Sequence, residues 1–316
     1  MKQKISSRHG LAIGRKVPFL VRFKKEAPYH FMIWLAVGTA LVFNYLPMSG
    51  LIIAFKNYRM RLGIWGSEWV GLKNFQNMFV DFYMGNAIIN TFAIALLDTL
   101  TALPLTILFA VLLNEMSNKA LKRTVQTISY LPHFISWVIM AVLLQNFLHP
   151  IDGLINNVLG IFGKGPILFL GRADLYWPTI IIASMWKNIG WNAIIYLAVM
   201  SGIDEELYEA ARIDGAGRFA RIRFITLPCL SGIISIMLIL RMGAITNTGF
   251  EQAFYLSNEL NFKRSNVLSY YLYDIGLRRG NFSYSTAIGL VTSSVSAILM
   301  LTSNWLAQRI KGTGLF

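Results

Sequence analysis

YEAARIDGAGRFARIRFITLP, residues 208–228, is a charged interruption between two apolar segments. Just upstream, Asp204 is a good N-cap, and the acids at 204, 205 and 206 suit the positive end of a helix. Leu207, Ala210 and Ala211 then share one helix face at i, i+3, i+4 spacing. Gly215 or Gly217 can take the left-handed conformation that ends such a helix. A second short helix, RFARIRFITL, puts Phe219, Ile222 and Ile225 on one side and Arg218 and Arg221 away from it. Pro228 then opens the next apolar segment, where a missing N–H is not needed. The stretch therefore reads as a small helix-turn-helix at a membrane surface, with alanines small enough to let another backbone approach. An amphipathic hairpin resting on lipid has the same pattern. The residues alone do not name the partner.

Composition requires a membrane. Of 316 residues, 55% are apolar and 14% charged, more than a water-facing surface accommodates. A single cysteine, Cys229, excludes an internal disulfide framework. The histidines at 9, 30, 133 and 149 have no ligand spacing, so neither a metal nor a cofactor is expected. The net charge of +14 could suit nucleic acid, but it is concentrated at the amino terminus and between apolar runs, as topology signals in a bilayer are.

Six stretches are long enough to span about 30 Å of hydrocarbon, which takes roughly 20 residues. They are 29–55, 86–114, 124–150, 175–200, 229–249 and 282–308; within them lie Asp98, Lys187 and Arg241. Lysine and arginine are denser in the amino-terminal segment, at 114–123, in the 203–228 loop and after 308 than in the loops at 56–85, 151–174 and 250–281. The denser set is cytoplasmic by the positive-inside rule, so both termini are expected there. The fold class is an all-α polytopic membrane protein. Its expected divisions are a basic segment at 1–28, a first span with its outer loop at 29–85, a core of five spans at 86–308 and a tail at 309–316. Pro47, Pro104 and Pro132 fall inside spans and are expected to kink them.

The 208–228 stretch resembles the EAA signature of ABC importer permeases: EAA, three residues, Gly, nine residues, Ile, one residue, Leu-Pro. Glu209, Ala210, Ala211, Gly215, Ile225, Leu227 and Pro228 keep every spacing, and the extended form EAARIDGA, with Asp214, is similar to the carbohydrate-importing branch. The resemblance continues in SYLPHFISWVI (129–139), WKNIGWNAIIYLA (186–198), GFEQAF (249–254) and GTGLF (312–316). Together these look like permeases of bacterial oligosaccharide and polysaccharide importers, among them the alginate importer and the lipopolysaccharide-type group.

That resemblance implies a type I ABC importer permease of the bacterial inner membrane, with the EAA loop as the coupling helix. Glu209 would contact a cytoplasmic ATPase and Gly215 would form the turn. It also implies the partners: a second permease, two ATPase subunits and an extracytoplasmic solute-binding protein. The chain has no GxxxxGK[ST] phosphate loop, so ATP chemistry would come from another polypeptide; catalysis is not expected of this one.

Intramembrane ionisable groups are functional candidates by default. Lys187 and Arg241 are expected at similar depth, with Asn188, Asn192 and Asn247 offering hydrogen bonds and Trp186, Trp191 and Tyr196 offering flat faces to sugar rings. Each could equally be structural, with Lys187 paired to Asp98 or to helix carbonyls. Two buried cations against one acid would suit an acidic glycan. His133 is a weaker candidate. An importer of another solute, a secondary transporter or channel, and a membrane glycosyltransferase are the competing readings; neither proton-relay acids nor an inverted repeat is evident for the second, and the acids at 204–206 that the third would use are better explained by helix capping.

Overall fold

The computed structural model describes residues 19–311. The basic segment before Phe19 and the GTGLF ending lie outside them. The chain forms two compact units, Met1–Ile52 and Ile53–Phe316.

In the first unit, α1 (Phe19–Ala40) begins earlier than the span expected from Tyr29 and takes in Pro28. It passes into a π turn at Leu41–Tyr45 and then a 3-10 segment at Leu46–Phe55. Pro47 lies where the α geometry is lost, as expected of a residue that cannot donate to the helix ladder.

The second unit opens with a small antiparallel pair, β1 (Lys56–Asn57) and β2 (Glu68–Trp69). Lys56 is buried and donates to the Ile64 and Trp65 carbonyls, closing the turn between the strands. Five longer helices follow, α2 (Phe82–Asn114), α3 (Lys119–Tyr130), α4 (Trp137–Phe147), α5 (Ala173–Ser201) and, after α6 (Glu205–Ile213), α7 (Leu227–Gly243). Two short helices, α8 (Phe250–Leu256) and α9 (Leu268–Tyr273), then lead to α10 (Phe282–Lys311). The main packing pairs are α2 with α5 and α7 with α10.

Four described helices are long and apolar enough to cross a bilayer, or five if a bent pair counts as one. That pair occupies the stretch expected as one span at 124–150, where Pro132 is expected to give a kink: Lys119–Phe134 and Trp137–Phe147 meet at 100°. Pro132 sits in the 3-10 turn between them, and Ser136 starts the second limb by accepting from the Ile139 N–H. A proline that cannot extend α3, followed by an N-cap, makes two helices from one apolar run. The stretch at 175–200 does form the 29-residue α5, about 43 Å long at 1.5 Å per residue, but it is less apolar than the other four. Its asparagines, serine and lysine are the reason.

The expected span at 229–249 is shifted. Helix runs from Arg218 through a π turn at Ile222–Thr226 into α7 and stops at Gly243. The separate second helix of the loop is therefore the first part of the span. In the π turn the Leu227 N–H bonds to the Ile222 carbonyl, five residues back, which lets the helix pass Pro228 without the bond that residue cannot make. Beyond Gly243, Ile245–Asn247 is a 3-10 turn and Gly249 is left-handed at φ +82°.

Two ends of the unit can be told apart. At the loop end, Ala110, Val111, Ala193, Tyr196, Met200 and Leu230 pack together. At the hairpin end, Met84, Ala87, Leu268, Tyr271, Ile275, Tyr284 and Ile288 form another core, to which residues 268–275 contribute as a cap. Asp81 fastens this cap. One carboxylate oxygen accepts from Tyr271 and from Tyr284 at 2.8 Å, while the other caps α2 through the Tyr83 and Met84 N–H groups. Burial alone would raise the Asp81 pKa; the hydrogen bonds outweigh it and hold it below the ordinary 3.8. Burial and the neighbouring carboxylate push the Tyr271 hydroxyl up, so it remains a donor.

A lowered carboxyl pKa contributes stability that is complete above the unfolded value, about 3.9, and is lost as pH falls through the folded value. Asp81→Asn is expected to cost about 1–3 kcal/mol at neutral pH and to remove part of the acid sensitivity below pH ~4. Thermal unfolding of the purified complex at neutral and acid pH checks both.

Candidate functional site

The loop begins as its sequence requires. Asp204 accepts from the Glu206 N–H at 3.1 Å and starts α6. Of the two glycines, Gly215 is the turn, at φ +79°. The Ala216 N–H closes the helix end on the Ala211 carbonyl at 2.8 Å, the wrapped bond of a glycine-terminated helix. Gly217 is extended and precedes the next helix.

α6 meets the bundle through a tyrosine, and its alanine face stays open as the sequence suggests. Leu207 is 49% exposed, and Tyr208 is the residue that reaches back, its hydroxyl 2.9 Å from Thr226 Oγ1. One tyrosine with a polar tip binds α6 to the root of α7 and leaves Leu207 and Ala210 outside. Ile213 and Phe219 are 87% and 75% exposed, apolar groups on an otherwise charged loop, and Phe219 does not pack inward with the half-buried Ile222 and Ile225. Glu209 is 62% exposed, with Arg212 3.9 Å away. Asp214 is also exposed, and Leu227 and Pro228 lie on an exposed face of the helix root. The loop thus presents acids and singly scattered apolar side chains to solvent.

The second feature lies inside the helices. α2, α5, α7 and α8 enclose a cavity of about 190 Å³ lined by Asp98, Ser184, Asn188, Asn192, Arg241 and Gln252 among others. A neighbouring cavity of about 230 Å³ is lined by Leu103, Trp191, Ile195, Tyr196 and Met237, and shares Thr106, Asn192 and Arg241 with the first. Reading along each helix, the first cavity takes the residues nearer the hairpin end and the second those nearer the loop end. The two therefore stack along the bundle, with the shared residues between them. Each is below the ~300 Å³ at the low end of ligand pockets, so neither alone holds an oligosaccharide.

Arg241 lies in the last turn of α7, where a cation suits the helix dipole. Its Nη1 donates to Asp98 Oδ2 at 2.7 Å. Lys187 takes a different partner: it is 7% exposed and donates to the His133 carbonyl, at the break between α3 and α4. Lys187 does not line either cavity. The expected positive interior is therefore absent from this cavity, since its two charged lining groups are bonded to each other.

The remaining candidates separate by helix face. Asn188 and Asn192 reach the cavities, and Asn188 Oδ1 lies 3.0 Å from His133 Nδ1. Trp191 stacks on the His133 ring at 4.5 Å and borders the second cavity, as does the buried Tyr196. Trp186 faces the other way, into an apolar groove with Met140, Leu144 and Phe147. Asn247 lies apart, in a separate recess with Thr246, Ser293 and Ser296. Ser184, Thr106, Asp98 and Gln252 are lining residues that sequence reasoning does not select. A signal for three of them exists: Ser184, Asn188 and Asn192 repeat at four-residue spacing, as do Asp98, Ala102 and Thr106, which places each set on one helix face.

Comparison with known proteins matches this geometry to a family. Residues 102–312 fit the model of the binding-protein-dependent transport system inner membrane component. The chain is 39% identical to the protein LplB of Bacillus subtilis over 97% of its own length and 96% of that protein. It is 41% identical to the polygalacturonan/rhamnogalacturonan transport system permease protein YteP of Bacillus subtilis, over 87% and 86% of the two chains. Among solved structures, a chain of a bacterial ABC transporter involved in import of the acidic polysaccharide alginate superimposes with a TM-score of 0.87 at 34% identity, covering 93% of this chain and 100% of that one. A second structure of the alginate transporter, in complex with a periplasmic protein carrying alginate pentasaccharide, matches equally well, with a TM-score of 0.87.

Proposed function

The chain belongs to the inner membrane components of binding-protein-dependent transport systems, and from that premise we propose that it is the permease subunit of an ATP-driven ABC importer for a carbohydrate. The likeness to permeases and transporters named for polygalacturonan, rhamnogalacturonan and alginate supports a glycan as the transported solute. The observation that carries the reading is the loop at 203–228. It lies within the region matched to the family, keeps the EAA spacing and offers Glu209 on an exposed helix.

In this reading six segments cross the membrane, the bent pair and α5 included, and both termini are cytoplasmic. Glu209, Ala210, Ala211, Asp214 and Gly215 form the surface that meets an ATPase, and Ile225, Leu227 and Pro228 root it in α7. Closure of two ATPase subunits pulls on α6, and α5 and α7, which flank it, carry the movement to the cavities. The chain transmits work between two sites that each bias one two-state element. Asn188, Asn192, Trp191, Tyr196 and Arg241 border the solute path; Trp186, Lys187 and Asn247 support its walls. A second permease completes the membrane part, and an external binding protein delivers the glycan.

Purification of the chain under gentle detergent tests the assembly. An ATPase carrying a phosphate-binding loop and a second, different permease are expected to co-purify. Isolation of the chain alone as a transport-competent unit would support a secondary transporter instead.

A further inference from the structure

Arg241 stands at the junction of the two stacked cavities, and its bond to Asp98 is incomplete. A guanidinium has five N–H donors in a planar fork and binds a carboxylate best through two parallel bonds. Here Nη1 makes the one side-chain bond found for Arg241 among the described residues, to one oxygen of Asp98. Both side chains keep more than a quarter of their surface open, 28% for Arg241 and 29% for Asp98. The other lining groups named above, Thr106, Ser184, Asn188, Asn192 and Gln252, carry no charge.

Resting on the carbohydrate-importer reading, we infer that Arg241 is the point at which the path reads a carboxylate on an acidic oligosaccharide, and that Asp98 sets this selectivity by competing for the same guanidinium. A free arginine in this polar cavity would hold a uronate carboxylate by a two-pronged bond and release it slowly. A path must bind its solute firmly enough to admit it and weakly enough to let it go. Asp98 supplies that balance, because an entering uronate has to displace a one-pronged internal carboxylate and a departing one is replaced by it. A neutral glycan has no group that makes this exchange and meets only the amides and hydroxyls.

Two glycans of the same skeleton isolate the charge: trigalacturonate and its fully methyl-esterified form. Their binding to the purified transporter complex, without binding protein, is compared for the wild type, Asp98→Asn, Arg241→Gln and the double variant. Relative to the ester, Asp98→Asn is expected to bind trigalacturonate about tenfold tighter and Arg241→Gln about tenfold weaker, the size of one hydrogen bond to a charged group. The double variant is expected to bind as Arg241→Gln does, because Asp98 acts only through that guanidinium. Maximal uptake of trigalacturonate should fall in Asp98→Asn as release slows. If Asp98→Asn does not assemble, the weakening in Arg241→Gln, confined to trigalacturonate, and its persistence in the double variant still decide the matter. Shifts that are equal for the two glycans, or in the same direction for both single variants, overturn the inference while leaving the importer intact. A wild-type complex that neither binds nor transports either glycan removes the carbohydrate reading and this inference with it.

Discussion

A Glu209→Lys chain is expected to insert, fold and join its complex, and to lose energised uptake by about 30-fold to 5000-fold, the span of the 2–5 kcal/mol found when a buried interfacial charge pair is broken. The folded chain makes little use of this carboxylate: it is 62% exposed, and its ion pair with Arg212 is a long 3.9 Å. Such a surface pair contributes less than about 1 kcal/mol. In the assembled transporter the same side chain lies on the helix proposed to meet the ATPase, so reversing its charge sets a cation where an anion is needed. ATP hydrolysis that persists while uptake stops is the signature of lost coupling. Normal uptake by Glu209→Lys would show that α6 is not the joint.

The second large effect is structural. Gly190 lies where α5 crosses α3, and a Cβ there would overlap the Ser129 carbonyl and approach Ser129 Cβ to 2.6 Å. Backbone cannot give way as a flexible side chain can, so Gly190→Val must move one helix off the other. The expected cost is about 2–4 kcal/mol, seen as a lowered unfolding temperature and a reduced yield of complex. The damage should also reach the solute path, because the Lys187 bond to the His133 carbonyl, the Asn188 contact and the Trp191 stack all bridge the same crossing. Gly85→Ala, in α2 with nothing within 4 Å of the added carbon, is expected to change stability by about 1 kcal/mol or less. Equal effects from the two substitutions would contradict the packing account.

Much of the loop is legible in its residues. Asp204 has to cap a helix, and one of two glycines has to turn left-handed, because those roles follow from local chemistry. The fusion of residues 218–226 with α7 is not legible. Helical periodicity runs on through such a junction, and whether Pro228 begins a helix or is carried past by a π turn depends on the hydrogen bonds of its neighbours. Pro132 raises the expectation of a kink; the 100° break also needs Ser136 as a second N-cap. For the candidate path, residue counting places Lys187 and Asn188 at nearly the same depth but says nothing of direction. Adjacent helical residues point about 100° apart, which is why one reaches a carbonyl at the break and the other the cavity. The Asp98–Arg241 bond joins residues 143 apart, and no local pattern announces it. The four-residue polar repeat through Ser184, Asn188 and Asn192 is the available clue.

These features converge on one claim: the chain opens a path for a glycan using work delivered through residues 203–228 by a separate ATPase. Reconstituting the purified complex into vesicles, with its binding protein outside and labelled oligosaccharide as solute, tests it most directly. The account predicts accumulation against a gradient that requires ATP on the loop side and disappears in Glu209→Lys. Accumulation that proceeds without ATP, or that follows an imposed proton or sodium gradient instead, would contradict it.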